Sequence, residues 1–301
     1  MAEFTDKGIC VFGEVLFDHF PDGTRVLGGA PFNVAWHLQA MGHSPHFVSR
    51  VGRDAEGEAV GEAMRDWGMD VTGLQTDMHR ATGLVRVSLA DGEPHYDIVE
   101  DCAYDAIDAP TLERCGLLYH GSLASRSAQS AGALQRLRAL TPSLIFIDVN
   151  LRPPWWQLAQ LENMLQGAHW VKLNDDELDK LQAGCAPAPD KAREFVDRYG
   201  LQGLVVTHGA AGAEILLAGG ERIGVETQPG VDVIDTVGAG DAFAAVMIVG
   251  LARDWSPALI LKRAQQFAAA IVGRRGATVA DRGFYREFLE EWGLAAPPAV
   301  T

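Results

Sequence analysis

Long apolar runs are missing from this sequence. No stretch of about 18 uncharged apolar residues occurs, so no membrane-spanning helix is expected. Basic residues are scarce as well: 25 Lys and Arg stand against 40 Asp and Glu, a formal net charge of −15. A surface this acidic repels nucleic acid and anionic membranes, which speaks against both as partners. An anionic ligand would need a local positive site made from backbone N–H groups, Arg, Lys or a metal. Cysteine is rare and dispersed. Cys10, Cys102, Cys115 and Cys185 form no Cys-x-x-Cys pair and have no His at zinc-ligand spacing. They read as reduced thiols of a cytoplasmic protein. The N-terminus "MAEFTDKGICVFGEVLF" lacks the basic region of a signal peptide, and Glu14 interrupts its short apolar run. Two nucleotide signatures are absent. Without Gly-x-x-x-x-Gly-Lys-Ser/Thr the chain is no P-loop kinase. Without Gly-x-Gly-x-x-Gly after the first strand, a Rossmann dehydrogenase is disfavoured. There is no internal repeat and no low-complexity tract.

What remains is ordinary globular material, 48% hydrophobic and 22% charged over 301 residues, enough for a large core. "GICVFGEVLF" reads as a first buried strand, followed by a Pro-Asp-Gly turn signal. "APFNVAWHLQAMG" has helical spacing and ends at Gly42. "SPHFVSRVG" is a second strand and "DAEGEAVGEAMRDWG" a second helix. This alternation argues for parallel βαβ units. Residues 82–99 break the rhythm and read as a hairpin about Asp91-Gly92. With the segment near 15–27 they predict a small sheet outside the main layer. Further strands are expected at "LLYHGS", "LIFIDVN", "WVKLN" and "GLVVTHG". Helices are expected at 127–140, 155–167, 175–183, 190–199, 241–253, 257–273 and 283–292. A last hairpin covers about 213–227, "CAPAPD" (185–190) is a loop, and "APPAV" is a frayed tail.

"VDVIDTVGAGDAFAAVMIVGLA" (231–252) places Gly238, Ala239 and Gly240 directly before Asp241. Such small residues at a helix start expose amides to an anion, where the positive end of the helix dipole favours it. A carboxylate beside that nest can take the proton of an attacking alcohol, the arrangement phosphoryl transfer needs. Alternatively, Asp241 simply caps the helix. Asp18 and the Gly28, Gly29, Asn33 group can bind hydroxyls, with turn and N-cap duty as the plainer reading. Asn174 and Glu177 stand three apart at a strand–helix junction. Near phosphates Glu177 would orient water around Mg²⁺, and the same spacing also makes a capping box. Lys172 reads as a surface lysine sooner than a phosphate ligand. Thr207, Gly209 and Gly212 in "THGAAG" suit a nucleotide phosphate or ribose. Arg152 fits either a phosphate or sugar oxygen or a structural salt bridge. Trp155 and Trp156 read as helix-start packing.

Together, "DTVGAGDAF" (235–243), "GGAPFNVAWHLQAMG" (28–42), "VKLNDDEL" (171–178) and "VVTHGAAGAEI" (205–215) resemble the ribokinase-like (PfkB) family of sugar kinases, in order and spacing along nearly the whole chain. The resemblance implies one ribokinase-like domain over 1–301. A three-layer α/β/α body with a mostly parallel sheet would carry a small β lid from about 15–27 and 82–99. It implies Asp241 as general base and Gly238, Ala239 and Gly240 as amides for the γ-phosphate. Sugar binding falls to Asp18, Gly28, Gly29 and Asn33, and ATP with Mg²⁺ is the expected donor. It also implies a K⁺-like monovalent cation near Asp235, Val237 and Gly276, and a homodimer through the lid. "GGAPFNVA" and "DVNLRPPWW" look most like bacterial fructokinases, so fructose is the expected acceptor, at its 6-hydroxyl. Ketodeoxygluconate kinases place a Tyr-Arg pair where this chain reads "CAYDAI" (102–107). Ribokinases read Gly-Gly-Lys-Gly-Ala-Asn where this chain has Ala30-Pro31-Phe32 between Gly29 and Asn33. A different class, a non-catalytic sugar-binding regulator on the same fold, is opposed by the intact Gly-Ala-Gly-Asp.

Overall fold

The computed structural model describes residues 8–90, 93–140, 142–182, 190–227 and 232–295. Cys185, most of the 185–190 loop, the Asp91-Gly92 turn and the "APPAV" tail lie outside the described residues. The first strands are β1 (Ile9–Phe12), β2 (Leu16–His19), β3 (Arg25–Gly28), β4 (His46–Gly52) and β5 (Leu74–Asp77). They are followed by β6 (Gly83–Ala90), β7 (Glu93–Ile98), β8 (Leu117–His120), β9 (Leu144–Asp148) and β10 (Trp170–Asn174). The last are β11 (Gly203–Thr207), β12 (Ala213–Leu217) and β13 (Arg222–Val225). The helices are α1 (Ala30–Ala40), α2 (Ala55–Asp66), α3 (Ala128–Arg138), α4 (Leu158–Leu165) and α5 (Asp175–Leu181), then α6 (Lys191–Tyr199), α7 (Ala239–Ala252), α8 (Pro257–Val272) and α9 (Arg282–Glu291).

Nine strands form the main sheet in the order β13-β12-β11-β10-β9-β8-β1-β4-β5. All neighbours run parallel except β12, which is antiparallel to both β11 and β13. Side chains alternate between two cores, as the two-residue repeat of a strand requires. On β1, Ile9 and Val11 pack with α1, α7, α8 and α9, while Cys10 and Phe12 pack with α3, α4 and α6. The same alternation on β11 sends Val205 one way and Leu204 and Val206 the other. The result is the expected three-layer α/β/α body. Helix α7 is buried along Ala242–Gly250, which is why its sequence is apolar all round.

The segments expected to form a small sheet do pair, as β3-β2-β6-β7. The single first strand predicted over 8–17 is broken, however. At Gly13 a Cβ would lie 2.3 Å from Pro31 Cγ. The chain turns there against the start of α1, and β2 leaves the main sheet for the small one. Strand β5, at the sheet edge, was not foreseen from the sequence. Asp54 caps α2 by accepting from the Gly57 amide at 2.8 Å, and it also accepts from the Thr82 amide at 2.8 Å and hydroxyl at 2.6 Å. This clamps the base of β6 to the body. Cys10, Cys102 and Cys115 are buried and free. Among the described residues no helix is long and apolar enough to cross a membrane.

Candidate active site

The parallel strands β9, β10 and β11 end side by side. Asp148 pairs in register with Lys172, and Asn174 with Thr207. At this carboxyl edge the loops can diverge and leave a crevice, the usual ligand position of an open α/β sheet. Two helices start towards it on glycine instead of on a side-chain cap: α1 at Gly29 and α7 at Gly238. Gly238 has φ 80°, and a Cβ there would sit 2.4 Å from the Ala277 backbone, so no other residue fits without a shift. No side chain caps the leading amides of α7; Ala239 N–H makes a long hydrogen bond to the Thr236 carbonyl at 3.4 Å, and the neighbouring Gly238 and Gly240 amides can face an anion.

Asp241 is therefore not the cap of α7; it is the third residue of the helix. Its Oδ2 accepts from Asn33 Nδ2 at 2.8 Å, joining residues 208 apart in sequence. Asn33 in turn lies a full turn inside α1, so it caps nothing either. Its buried Oδ1 has no hydrogen-bond partner among the described residues. Burial is the largest influence on the Asp241 carboxyl. It and the Asp148 charge push the pKa up to about 7 against the Asn33 hydrogen bond, Lys172 and Arg152. A carboxylate at about 7 is better matched to proton transfer near neutrality than an ordinary Asp.

Lys172 departs from the surface position expected for it. It is 6% exposed and bonds Asp148 Oδ2 at 2.8 Å, both side chains lying on the sheet face that α7 covers. A Cβ on Gly240 would come within 3.3 Å of its Nζ. Burial alone would lower the lysine pKa, but Asp148 outweighs it and holds the ammonium above its usual range. Local sequence carries no sign of this, since the covering helix arrives about 70 residues later.

Asp18, readable as the carboxyl end of a first βα unit, lies instead within β2 of the small sheet, inside the 15–27 segment expected to form it, and pairs with Val26 and Val85. Burial raises its pKa to about 6 against Arg152 and His19. Arg152 is exposed and, among the described residues, forms no salt bridge. Its charge lowers the pKa of both Asp18 and Asp241, so it lies within electrostatic reach of each. Gly29 approaches Glu14 so closely that a Cβ would be 2.7 Å from its carbonyl. Glu14 was not singled out as a candidate, yet it is buried beneath this corner with Oε2 unpartnered. Arg126 is held by both oxygens of Asp105 at 2.7 Å and stacks 4.7 Å from the Trp155 ring centroid. Trp155 thus packs ahead of α4, which begins later than expected.

Asn174 and Glu177 do form the capping box. Asn174 Oδ1 accepts from the Glu177 amide and Glu177 Oε2 from the Asn174 amide, each at 2.9 Å. Glu177 Oε1 accepts from the Leu151 amide at 2.7 Å. Thr207 donates weakly to the Leu173 carbonyl at 3.4 Å. Gly209 and Gly212 bound the turn after β11; at Gly212, φ 107°, a Cβ would lie 2.0 Å from the Val225 carbonyl oxygen. Asp235 accepts from the Val237 and Gly276 amides at 3.0 Å each, bracing the loop before α7.

These donors can be tested against the ions the resemblance implied. Among the described residues no group of three or more His, Cys, Asp and Glu forms a metal cage. Each oxygen of buried Glu177 already accepts from one backbone amide, Leu151 and Asn174, so the carboxylate keeps lone pairs for water rather than a free edge for a metal. That fits a divalent ion that brings its own phosphates and waters, as Mg²⁺ does. Both Asp235 oxygens are engaged by amides, so a monovalent cation there would rest on backbone carbonyls.

A mostly parallel α/β body with a buried carboxylate beside an uncapped helix start defines a phosphotransferase with an alcohol acceptor. More particularly, the chain belongs to the pfkB family of carbohydrate kinases, whose pattern matches residues 4–282. It is 31% identical over 268 residues to a fructokinase of Salmonella typhimurium, covering 83% of this chain and 86% of that one. It is 30% identical over 273 residues to fructokinase-2 of Zea mays, covering 81% and 79%. In fold it matches a fructokinase of Xylella fastidiosa with bound ATP, at a TM-score of 0.83 and 24% identity, over 95% of this chain and 99% of that one.

Proposed function

We propose that this sugar kinase transfers the γ-phosphoryl group of ATP to the 6-hydroxyl of fructose. The observation that carries the reading is Asp241, fixed by Asn33 at 2.8 Å beside the open amides of α7. The hydroxyl sits between Asp241 and the nest. Its oxygen forms the new bond to phosphorus as the bond to ADP breaks, and its proton passes to the carboxylate. Gly238, Ala239 and Gly240 offset the charge on the migrating group. Asp18, Gly28, Gly29, Asn33 and Arg152 hold the sugar. Asn174, Thr207, Gly209, Gly212 and Gly276 border the nucleotide. Glu177 would orient water around a bound Mg²⁺, which would neutralise part of the phosphate charge. Backbone carbonyls near Asp235, Val237 and Gly276 take a K⁺-like ion. The small sheet acts as a lid that excludes water, the competing acceptor.

Fructose is supported by the fructokinase relatives and by the departures from the ribokinase and ketodeoxygluconate-kinase patterns at 30–32 and 102–107. Dimerisation through the lid is supported by its two open edges and by Tyr96, 49% exposed on edge strand β7. A cytoplasmic location fits the dispersed, free cysteines. The reading takes the whole chain as one kinase unit with its lid.

A coupled ADP-release screen with Mg-ATP across fructose, ribose, ketodeoxygluconate, mannose and adenosine tests the acceptor. Fructose should give the highest kcat/KM; another sugar ranking first overturns the assignment. Asp241→Asn should keep sugar binding and lose turnover by a factor of about 10² to 10⁴. Unchanged turnover removes Asp241 from the base role.

A further inference from the structure

We propose that Lys172, clamped by Asp148, is a positioning residue that keeps Asp241 ready to accept the sugar's proton. The inference rests on Asp241 being the base, and it adds a member that the sequence motifs leave out.

Three observations converge on it. First, the Lys172–Asp148 pair is almost wholly buried, at 2.8 Å, between adjacent parallel strands. Such a pair is seldom retained for stability, because desolvating two charges offsets most of their attraction. Second, the pair faces the single turn of the molecule where the chemistry is placed. Lys172 Nζ lies under Gly240, the residue before Asp241, so closely that a Cβ on Gly240 would crowd it at 3.3 Å. Third, the charges around Asp241 are unbalanced without it. Asp148 on β9 faces Asp241, Glu177 on α5 faces Asp148 and Lys172, and the neutral phenol of Tyr119 on β8 faces both aspartates. Among the described residues, Lys172 from β10 and Arg152 from the loop after β9 oppose this negative charge, while Asn33 on α1 contributes a neutral donor. Arg152 is exposed and bonds only weakly to the Leu151 carbonyl at 3.4 Å, whereas Lys172 is buried and held by Asp148. The fixed cation therefore sets the resting state of the carboxylate. Asp148 plays two parts, holding the cation in place and adding repulsion of its own.

The sign of each part gives the test. Removing Lys172 leaves only exposed Arg152 and the Asn33 hydrogen bond to offset Asp148 at Asp241, so Asp241 binds its proton more tightly. The acid limb of kcat/KM in Lys172→Met should move to higher pH by at least about half a unit, roughly threefold in proton affinity. Adding Asp148→Asn to that variant removes the repulsion, so the limb should move back towards the parent position. A purely structural role predicts otherwise: the double variant would be no better than the single one, and both limbs would stay where the parent's is. That result, or a shift to lower pH in Lys172→Met, overturns the proposal. Should Lys172→Met fail to fold by thermal melting, Lys172→Gln keeps a polar tip for Asp148 and carries the same expectation. Asp241→Asn separates the two readings. If it retains the acid limb, the base assignment falls. If it abolishes the limb while the Lys172 variants leave it unmoved, only the positioning role falls.

Discussion

As the proposed base, Asp241 meets two opposed demands, and both follow from the burial that pushes its pKa up to about 7. Burial beside α7 suits the carboxylate to the proposed proton transfer, and it makes the ionised form costly to the fold. An unfolded Asp titrates near 3.9. Between that value and about 7 the folded protein holds a proton that the unfolded chain has released. Stability therefore falls as pH rises through this window and stays lower above it. Asp241→Asn, which keeps an acceptor for Asn33, should melt above the parent at pH 8, with the gap closing towards pH 4. Each kcal/mol recovered corresponds to about 2–4 °C in a large domain. Thermal melts at several pH values check this, and a gap independent of pH would contradict it. Activity should follow the opposite sign: kcat/KM of the parent should rise as pH passes through about 7 and Asp241 loses its proton.

Glycine starts and side-chain caps divide the helices by task. Asp54, Ser127, Asn174, Asp190, Ser256 and Asp281 each close a helix with a side-chain acceptor, whereas α1 and α7 open on Gly29 and Gly238. The second group leaves amides for a ligand. Gly238→Ala would place a side chain at φ 80° and 2.4 Å from Ala277. The left-handed backbone alone costs about 1–2 kcal/mol. Calorimetric titration with ATP should show nucleotide affinity falling at least about tenfold, and unchanged affinity would detach the nest from phosphate binding. Asp54→Ala should instead cost stability, about 1–2 kcal/mol for a lost cap, because Asp54 also ties Thr82 at the base of β6. Urea denaturation measures that loss. Both effects are readable in sequence as residue types, Asp before an amphipathic run and Gly before an apolar one. The Glu177 capping box was equally legible, because a three-residue spacing is a local property.

At the scale of the whole molecule, Asp18 on the small sheet lies within the field of Arg152, on the loop after β9, across the gap that the proposed lid would close. Ligands that close this gap should stabilise the protein by mass action, about 2.7 kcal/mol at a hundredfold excess over Kd. Fructose and a non-hydrolysable ATP analogue together should raise Tm by more than the sum of each alone; strictly additive shifts would argue against a shared closed state. The sequence by itself determined the alternation of strands and helices, the segments of the small sheet, the glycine entrance to α7 and the acid beside it. These follow from periodicity, turn chemistry and spacing within a few residues. It did not determine that the first strand breaks at Gly13 or that Lys172 is buried. Nor could it bring Asn33 to Asp241 across 208 positions. Those depend on strand order and on which helix covers which face. Local propensity is silent on such matters, because the partners that decide them are distant in the chain and adjacent only once the sheet has assembled.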